Sequence, residues 1–247
     1  MAGVIESLVG FFSKGEEPYR CKAIIVAGGS SERMQGKDKL MLEIGGVPAL
    51  ARSVMAFDIC PLVDEIVVVA REDRIVPYAN ICKNFSLSKV TRVVKGGDTR
   101  FKSVMAGLEA IPGSEFVVAV HDAARPLVNP ADIERTIRAA RSYNAAALAV
   151  PVTDTLKRAE NGMIFETVER DALYAVQTPQ VFDAAMLKGA YKKALEDGLY
   201  ATDDCALVER MGLRVFIVEG SRNNIKLTTP GDYALACAIW DTEVKNI

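Results

Sequence analysis

The fold turns on Lys22-Ala-Ile-Ile-Val-Ala-Gly-Gly-Ser-Ser-Glu-Arg-Met34, with Lys37, Asp38 and Lys39 close behind. Residues 23–27 carry no charge, the pattern of a strand buried on both faces. Gly28 and Gly29 then break the run. A glycine turn directly after a buried strand lets backbone N–H groups approach an anion with no Cβ in the way. Arg33 and Lys39 add positive charge at the same place, so the stretch reads as a polyphosphate cradle. Two familiar loops are excluded. The G-x-G-x-x-G pattern is missing, and Gly29 and Gly36 lie seven positions apart, with Lys37 followed by Asp38 rather than by Ser or Thr. A plain strand-to-loop turn with a solvated charged tail is the reading this stretch alone leaves open.

The remainder of the chain narrows the choice. At 247 residues, 50% hydrophobic and 25% charged, it can bury a substantial core as one large α/β domain or two small ones. A net charge of −2 gives no bulk basic field for nucleic acid, so any positive site must be local. The five cysteines, Cys21, Cys60, Cys82, Cys205 and Cys237, include no C-x-x-C pair. They suit reduced, buried thiols of a cytoplasmic protein better than a disulfide framework or a zinc site. His121 is the only histidine, which excludes a His-rich metal centre. No apolar run approaches the roughly 20 residues of a membrane span. Residues 1–20 form an extension without a basic n-region, and Glu6 interrupts its apolar stretch. Its Val4, Ile5, Leu8, Val9, Phe11 and Phe12 recur at helical spacing, which predicts a short helix docked on its own domain or a partner.

Further along, strands are expected at 66–70, 90–94, 116–120 and 145–150. Helices are expected from Pro48 to Phe57, over 74–84, from a cap at Asp98 or Thr99 through Ala110, and over 131–143. This alternation predicts an α/β, Rossmann-like, mostly parallel sheet with helices on both faces. In such sheets the ligand lies outside the carboxyl ends of the strands. The rhythm breaks at about 152–176, where Asn161-Gly162 between alternating segments signals a β-hairpin. This is read as a projecting arm that pairs with a second subunit. Helices from Asp183 and Asp203, a strand at 213–218 and a helix from Pro230 follow. The expectation is one domain over 21–240 and a tail at 241–247.

Three further loops carry candidate chemistry. Gly96-Gly97-Asp98-Thr99-Arg100 follows the third strand, with Ser103 one helical turn on. A glycine pair lets backbone contact a flat base edge, though a plain helix cap fits the same residues. His121-Asp122-Ala-Ala-Arg125-Pro126 follows the fourth strand. Its carboxylate is well placed to hold Mg²⁺ against phosphates, and Arg125 to pair with a phosphate. A structural Asp–Arg pair is the alternative, and His121 is weighted toward a structural role. Asn223-Asn-Ile-Lys226 follows the last strand and could bring Lys226 to the same crevice.

The ordered set A-G-G-x-x-x-R-M, G-G-D-x-R-x-x-S, H-D-A-A-R-P, D-T-x-K, T-V-x-R, Q-T-P-Q, T-D-D and N-I-K-x-T resembles the 2-C-methyl-D-erythritol 4-phosphate cytidylyltransferase family over about 21–240. The resemblance implies transfer of CMP from CTP to 2-C-methyl-D-erythritol 4-phosphate, with pyrophosphate released, in the making of isoprenoid precursors. It implies that Ala27, Gly28, Gly29, Ser30, Arg33 and Lys39 hold the triphosphate, with Arg33, Lys39 and Lys226 catalytic. Gly97, Asp98, Arg100 and Ser103 would surround the cytidine, and Asp122 would bind Mg²⁺. Asp122, Arg125, Thr178 and Lys226 would engage the second substrate. Thr155 and Arg170 would reach the neighbouring subunit of a homodimer. Ser31 replaces a glycine, and Asn223 an aspartate, that the family often carries. A transferase for another polyol phosphate, such as ribitol 5-phosphate, and a non-catalytic nucleotide-binding module are the rival readings.

Overall fold

The computed structural model describes residues 20–29 and 38–245. The docked-helix expectation for the extension, and the expectations for Ser30, Ser31 and Arg33, lie outside the described residues.

The strands are β1 (Cys21–Ala27), β2 (Glu43–Ile44), β3 (Val47–Pro48), β4 (Val63–Ala70), β5 (Val90–Lys95), β6 (Val117–Asp122), β7 (Ala145–Pro151), β8 (Leu156–Glu160), β9 (Met163–Val168), β10 (Tyr174–Asp183) and β11 (Phe216–Glu219). Seven of them form one sheet in the order β11-β7-β10-β6-β1-β4-β5. β1 is parallel to β4 and β6, β4 to β5, and β7 to β11. β10 runs antiparallel between β6 and β7. The mostly parallel sheet is therefore as expected, with one reversed strand in its interior.

Helices α1 (Ala49–Asp58), α2 (Ile75–Asn84), α3 (Arg100–Ala110), α4 (Pro130–Tyr143), α5 (Ala184–Glu196), α6 (Asp204–Arg210) and α7 (Pro230–Lys245) cover both faces. Ala23 and Ile25 of β1 pack with α1, α2, α4 and α7, and Ile24 packs with α3, α5 and α6. A strand whose successive side chains enter two different cores must be apolar throughout, which is why 23–27 has no alternation. Local chemistry sets the helix starts. The side chains of Thr99, Asn129, Asp183 and Asp203 each accept a bond from a backbone N–H of the first turn that follows, and Pro130 occupies the first position after Asn129.

Some boundaries move. Pro77 lies inside the first turn of α2, where its missing N–H costs nothing, and a 3-10 turn at Glu72–Arg74 precedes the helix. The expected strand at 213–218 starts only at Phe216. The expected tail at 241 begins inside α7, which continues through Lys245.

The arm is the hairpin β8–β9, with Asn161 and Gly162 at φ 51° and 79°, the left-handed pair a tight hairpin turn requires. Met163, Ile164 and Phe165 on it are exposed. No helix among the described residues is long and apolar enough to cross a membrane.

Candidate active site

The parallel strands β1, β4, β5 and β6 all finish at one edge of the sheet, and a cavity of about 700 Å³ lies over that edge. Ala27, Gly28 and Gly29 enter it from β1 and the turn after it, Gly97 and Asp98 from the loop after β5, Arg100 and Ser103 from the first turn of α3, and Asp122 from β6. Lys39, Arg71 and Lys226 line it too. Among the described residues its charged lining is Lys39, Arg71, Arg100 and Lys226 against Asp98 and Asp122, an excess of cations that suits a polyanion. The glycine before this lining is sterically required. A Cβ on Gly96 would stand 2.7 Å from Ser103 Oγ and 2.9 Å from Val69 Cγ1, so any side chain would push the loop off the sheet.

Asp122 is the electrostatic centre. Arg100 Nε donates to its Oδ1 at 3.1 Å and Lys226 Nζ to its Oδ2 at 2.6 Å. Burial works to raise the Asp122 carboxyl, but Arg100 and then Lys226 outweigh it and hold the group well below the usual carboxylate range. Asp122 is therefore a carboxylate at neutral pH. Lys39 Nζ donates to Leu227 O at 2.8 Å, and Leu227 N donates to Ala124 O at 2.8 Å. These bonds tie the first loop to the loop that delivers Lys226. Asp38 fixes the turn holding Lys39: it accepts from Tyr78 Oη at 2.9 Å, pairs with Arg74 Nε at 3.1 Å and caps Leu40 N.

Beneath Asp122 lies a buried polar floor. Thr178 Oγ1 accepts from Asp122 N at 3.1 Å and meets His121 Nδ1 at 3.0 Å, and His121 Nε2 meets Arg125 O at 3.2 Å. His121 is wholly buried, and that burial pushes its pKa down to about 4, so the imidazole is neutral and structural. Asn224 Nδ2 donates to Gln177 Oε1 and to Thr178 O, both at 3.0 Å, and Arg125 Nη1 donates to Asn224 O at 2.6 Å. Arg125 Nε and Asn224 Oδ1 are buried without a hydrogen-bond partner. Such atoms are uncommon in folded proteins.

The expected site residues divide accordingly. Ala27, Gly28, Gly29, Lys39, Gly97, Asp98, Arg100, Ser103, Asp122 and Lys226 come together in one cavity. Thr178 lies behind Asp122, 4% exposed, rather than in the lining. Arg125 is also outside the lining, its guanidinium turned to Asn224. Thr155 and Arg170 are exposed at the root of the arm, where Arg170 Nη1 donates to Thr153 O, and neither lines the cavity of its own chain. Asn223, whose side chain donates to Glu243 Oε1 at 3.0 Å, is outside it too. Arg71 was missed although it stands one residue beyond β4, at the same sheet edge as the other loops. Asp204, fully buried against Arg100, was missed because nothing local in the sequence joins positions 104 residues apart.

The model of the 2-C-methyl-D-erythritol 4-phosphate cytidylyltransferase family matches residues 21–242. The chain belongs to this family. A 2-C-methyl-D-erythritol 4-phosphate cytidylyltransferase from Caldanaerobacter subterraneus subsp. tengcongensis is 45% identical over 217 residues, covering 87% of this chain and 96% of its own. Another from Symbiobacterium thermophilum is 43% identical over 225 residues, covering 90% and 94%. Among solved structures, the 4-diphosphocytidyl-2C-methyl-D-erythritol synthase of Anaerococcus prevotii matches with a TM-score of 0.81 at 31% identity, covering 91% of this chain and 97% of its own. The cytidylyltransferase family therefore accounts for the α/β architecture as well as the sequence set.

Proposed function

We propose that the chain transfers a cytidylyl group from CTP to 2-C-methyl-D-erythritol 4-phosphate, giving 4-diphosphocytidyl-2-C-methyl-D-erythritol and pyrophosphate, a step in making isoprenoid precursors. The observation that carries this reading is the convergence of Lys39, Arg100 and Lys226 with Asp122 on one cavity in a chain of this family. An oxygen of the acceptor phosphate attacks the α-phosphorus of CTP, and the bond to the β-phosphate oxygen breaks. The attacking group is a phosphate monoester whose second pKa is about 6, so it is largely ionised at neutral pH and no protein base is needed. A chain whose single histidine is buried and neutral suits that chemistry.

The protein's part is alignment and neutralisation of charge on the α-phosphate and the leaving pyrophosphate. Gly28 and Gly29 carry the triphosphate, Lys39 serves the α-phosphate, and the same role is assigned to Arg33 from the sequence. Gly97, Asp98, Arg100 and Ser103 take the cytidine, and Lys226 takes the acceptor; Arg125, which the sequence also assigned to the acceptor, is instead engaged with Asn224 O outside the lining. Among the described residues no three His, Cys, Asp or Glu side chains gather to hold a metal. Mg²⁺ is commonly bound by one or two carboxylates together with substrate phosphates, and an ionised Asp122 in a cationic cavity fits that arrangement. When bound there, Mg²⁺ supplies charge neutralisation to the phosphates. Thr155 and Arg170, remote from their own cavity, are read as completing that of a second copy through the exposed arm.

The test is pyrophosphate release from CTP with 2-C-methyl-D-erythritol 4-phosphate, with ribitol 5-phosphate and with no acceptor. Release that is fastest with the first acceptor is expected. Preference for ribitol 5-phosphate would reassign the substrate, and no release with either would reduce the chain to a nucleotide-binding module.

A further inference from the structure

The stretch Thr202-Asp203-Asp204 has so far received no task. Asp203 caps α6 and accepts from Gln180 Nε2 at 3.1 Å. Asp204, the first residue of that helix, turns the other way. It is fully buried, accepts from Arg100 Nη2 at 2.8 Å through Oδ2, and from Tyr191 Oη at 2.5 Å through Oδ1. Its backbone N–H is taken by Gln180 Oε1 at 3.0 Å. Both carboxylate oxygens are therefore spoken for, and by different partners.

Arg100 is consequently held at two points of its fork, Nη2 on Asp204 and Nε on Asp122. Burial alone would lower the guanidinium's pKa, but Asp204 and then Asp122 outweigh it and move it upward. Asp204 matters for a second reason. Were Arg100 to have only Asp122 as its counter-ion, the Asp122 carboxylate would be shared between Arg100 and Lys226 with nothing else to satisfy either cation. With Asp204 behind it, the charge of Arg100 is already balanced from the protein side. The Asp122 carboxylate is then free to exchange its partners when a ligand enters.

We propose that Asp204, closed from behind by Tyr191, is a positioning residue for nucleotide binding that fixes the Arg100 guanidinium in the cavity wall and keeps it from being held by Asp122 alone. This rests on the cytidylyltransferase reading. Arg100 lines the cavity whereas Asp204 and Tyr191 do not, so the effect of Asp204 on the nucleotide passes through Arg100.

The experiment measures CTP affinity by calorimetry without acceptor, the KM for each substrate, and the melting temperature. The proteins are the wild type, Asp204→Asn, Tyr191→Phe, Arg100→Lys and the Asp204→Asn/Arg100→Lys pair. Asp204→Asn keeps the shape and one acceptor but loses the charge. It should weaken CTP about tenfold, equivalent to about 1.4 kcal/mol, and leave the KM of the polyol phosphate within about twofold. Tyr191→Phe should give a smaller loss in the same direction. In the Arg100→Lys background, Asp204→Asn should add little, because a two-point fork no longer exists to be held. Equal losses for both substrates, or a full tenfold loss on top of Arg100→Lys, would overturn the proposal. So would a lowered melting temperature with unchanged CTP affinity in both Asp204→Asn and Tyr191→Phe. A wild type that binds CTP but transfers nothing would refute the reaction and leave the positioning role standing. A wild type that binds no CTP would remove both.

Discussion

Replacing Lys226 with alanine removes a cation whose Nζ lies 2.6 Å from Asp122 Oδ2 at the mouth of the cavity. Two consequences add. An incoming phosphate loses a positive partner, and one oxygen of Asp122 turns toward it unneutralised. A unit charge pair about 4 Å apart is worth about 4 kcal/mol at an effective dielectric of about 20. The Lys226 side chain is 40% exposed, so solvent and salt remove a large part of that. About 2–3 kcal/mol remains after that discount. That predicts a fall in kcat/KM of about 30- to 150-fold. Arg100 still faces Asp122, so the fold should hold, and the melting temperature should drop by only about 2–4 °C. Continuous pyrophosphate release with both substrates varied gives the number, and Lys226→Arg should recover part of it. A Lys226→Ala enzyme within threefold of wild type would show that the charge balance at Asp122 does not govern the reaction.

Other substitutions separate binding from chemistry. Lys39→Ala and Arg33→Ala should lower kcat by orders of magnitude while the KM for CTP changes much less; near-normal turnover in both would defeat the assignment. Arg170→Ala, at an exposed arm residue, should raise the KM for the polyol phosphate and leave the melting temperature alone. Mixing it with a Lys39→Ala chain should restore some activity if the arm completes a second copy's cavity, and unmixed and mixed samples of equal activity would argue against that. His121 provides a pH prediction. Its folded pKa, lowered to about 4, lies below the unfolded value near 6.5, so the unfolded chain binds the extra proton first. This contribution is fully present above about pH 6.5 and is lost as pH falls toward 4, by up to about 3 kcal/mol. Asp122, held low, adds its own loss only below that window. Denaturant midpoints of wild type and His121→Asn should converge between pH 7 and 4.5, and parallel curves would contradict the burial argument.

Much of this was legible before any coordinates, for a physical reason. Parallel strands buried on both faces announce themselves as uncharged runs, and short polar residues at their ends announce the helix caps. Residues 23–27, a helix cap at Asp98 or Thr99 (the structure uses Thr99) and the Asn161-Gly162 turn followed from local chemistry alone. β10 did not. Its Gln177-Thr178-Pro179-Gln180 is polar and contains a proline, which reads as loop, yet the segment crosses the middle of the sheet. The convergence of the glycine-loop residues on one cavity was legible because a sheet edge gathers them. Thr178 was expected in contact with substrate and lies instead under Asp122, because a hydroxyl with a buried N–H and an imidazole beside it is drawn inward. Arg100 and Asp204 each stand in a motif of the ordered set, but no local pattern joins them to each other. Only the packing of α6 beside α3 brings the two together.

The irregularity in β10 has a consequence of its own. Between Val176, opposite Ala149, and Gln180, opposite Ala147, the strand spends more residues than its neighbour, and the surplus is the segment that supports Asp122. Over that span β10 advances four positions while β7 advances two, so the surplus is two residues, and removing both would restore regular pairing. Removing only one would invert the parity of everything between that point and the hairpin, so that the side chains of Tyr174–Val176 would exchange faces of the sheet. The awkward stretch of strand thus sets how the hairpin leaves the body of the protein, and the loss of a single residue there would be felt first as a change in the hairpin's orientation.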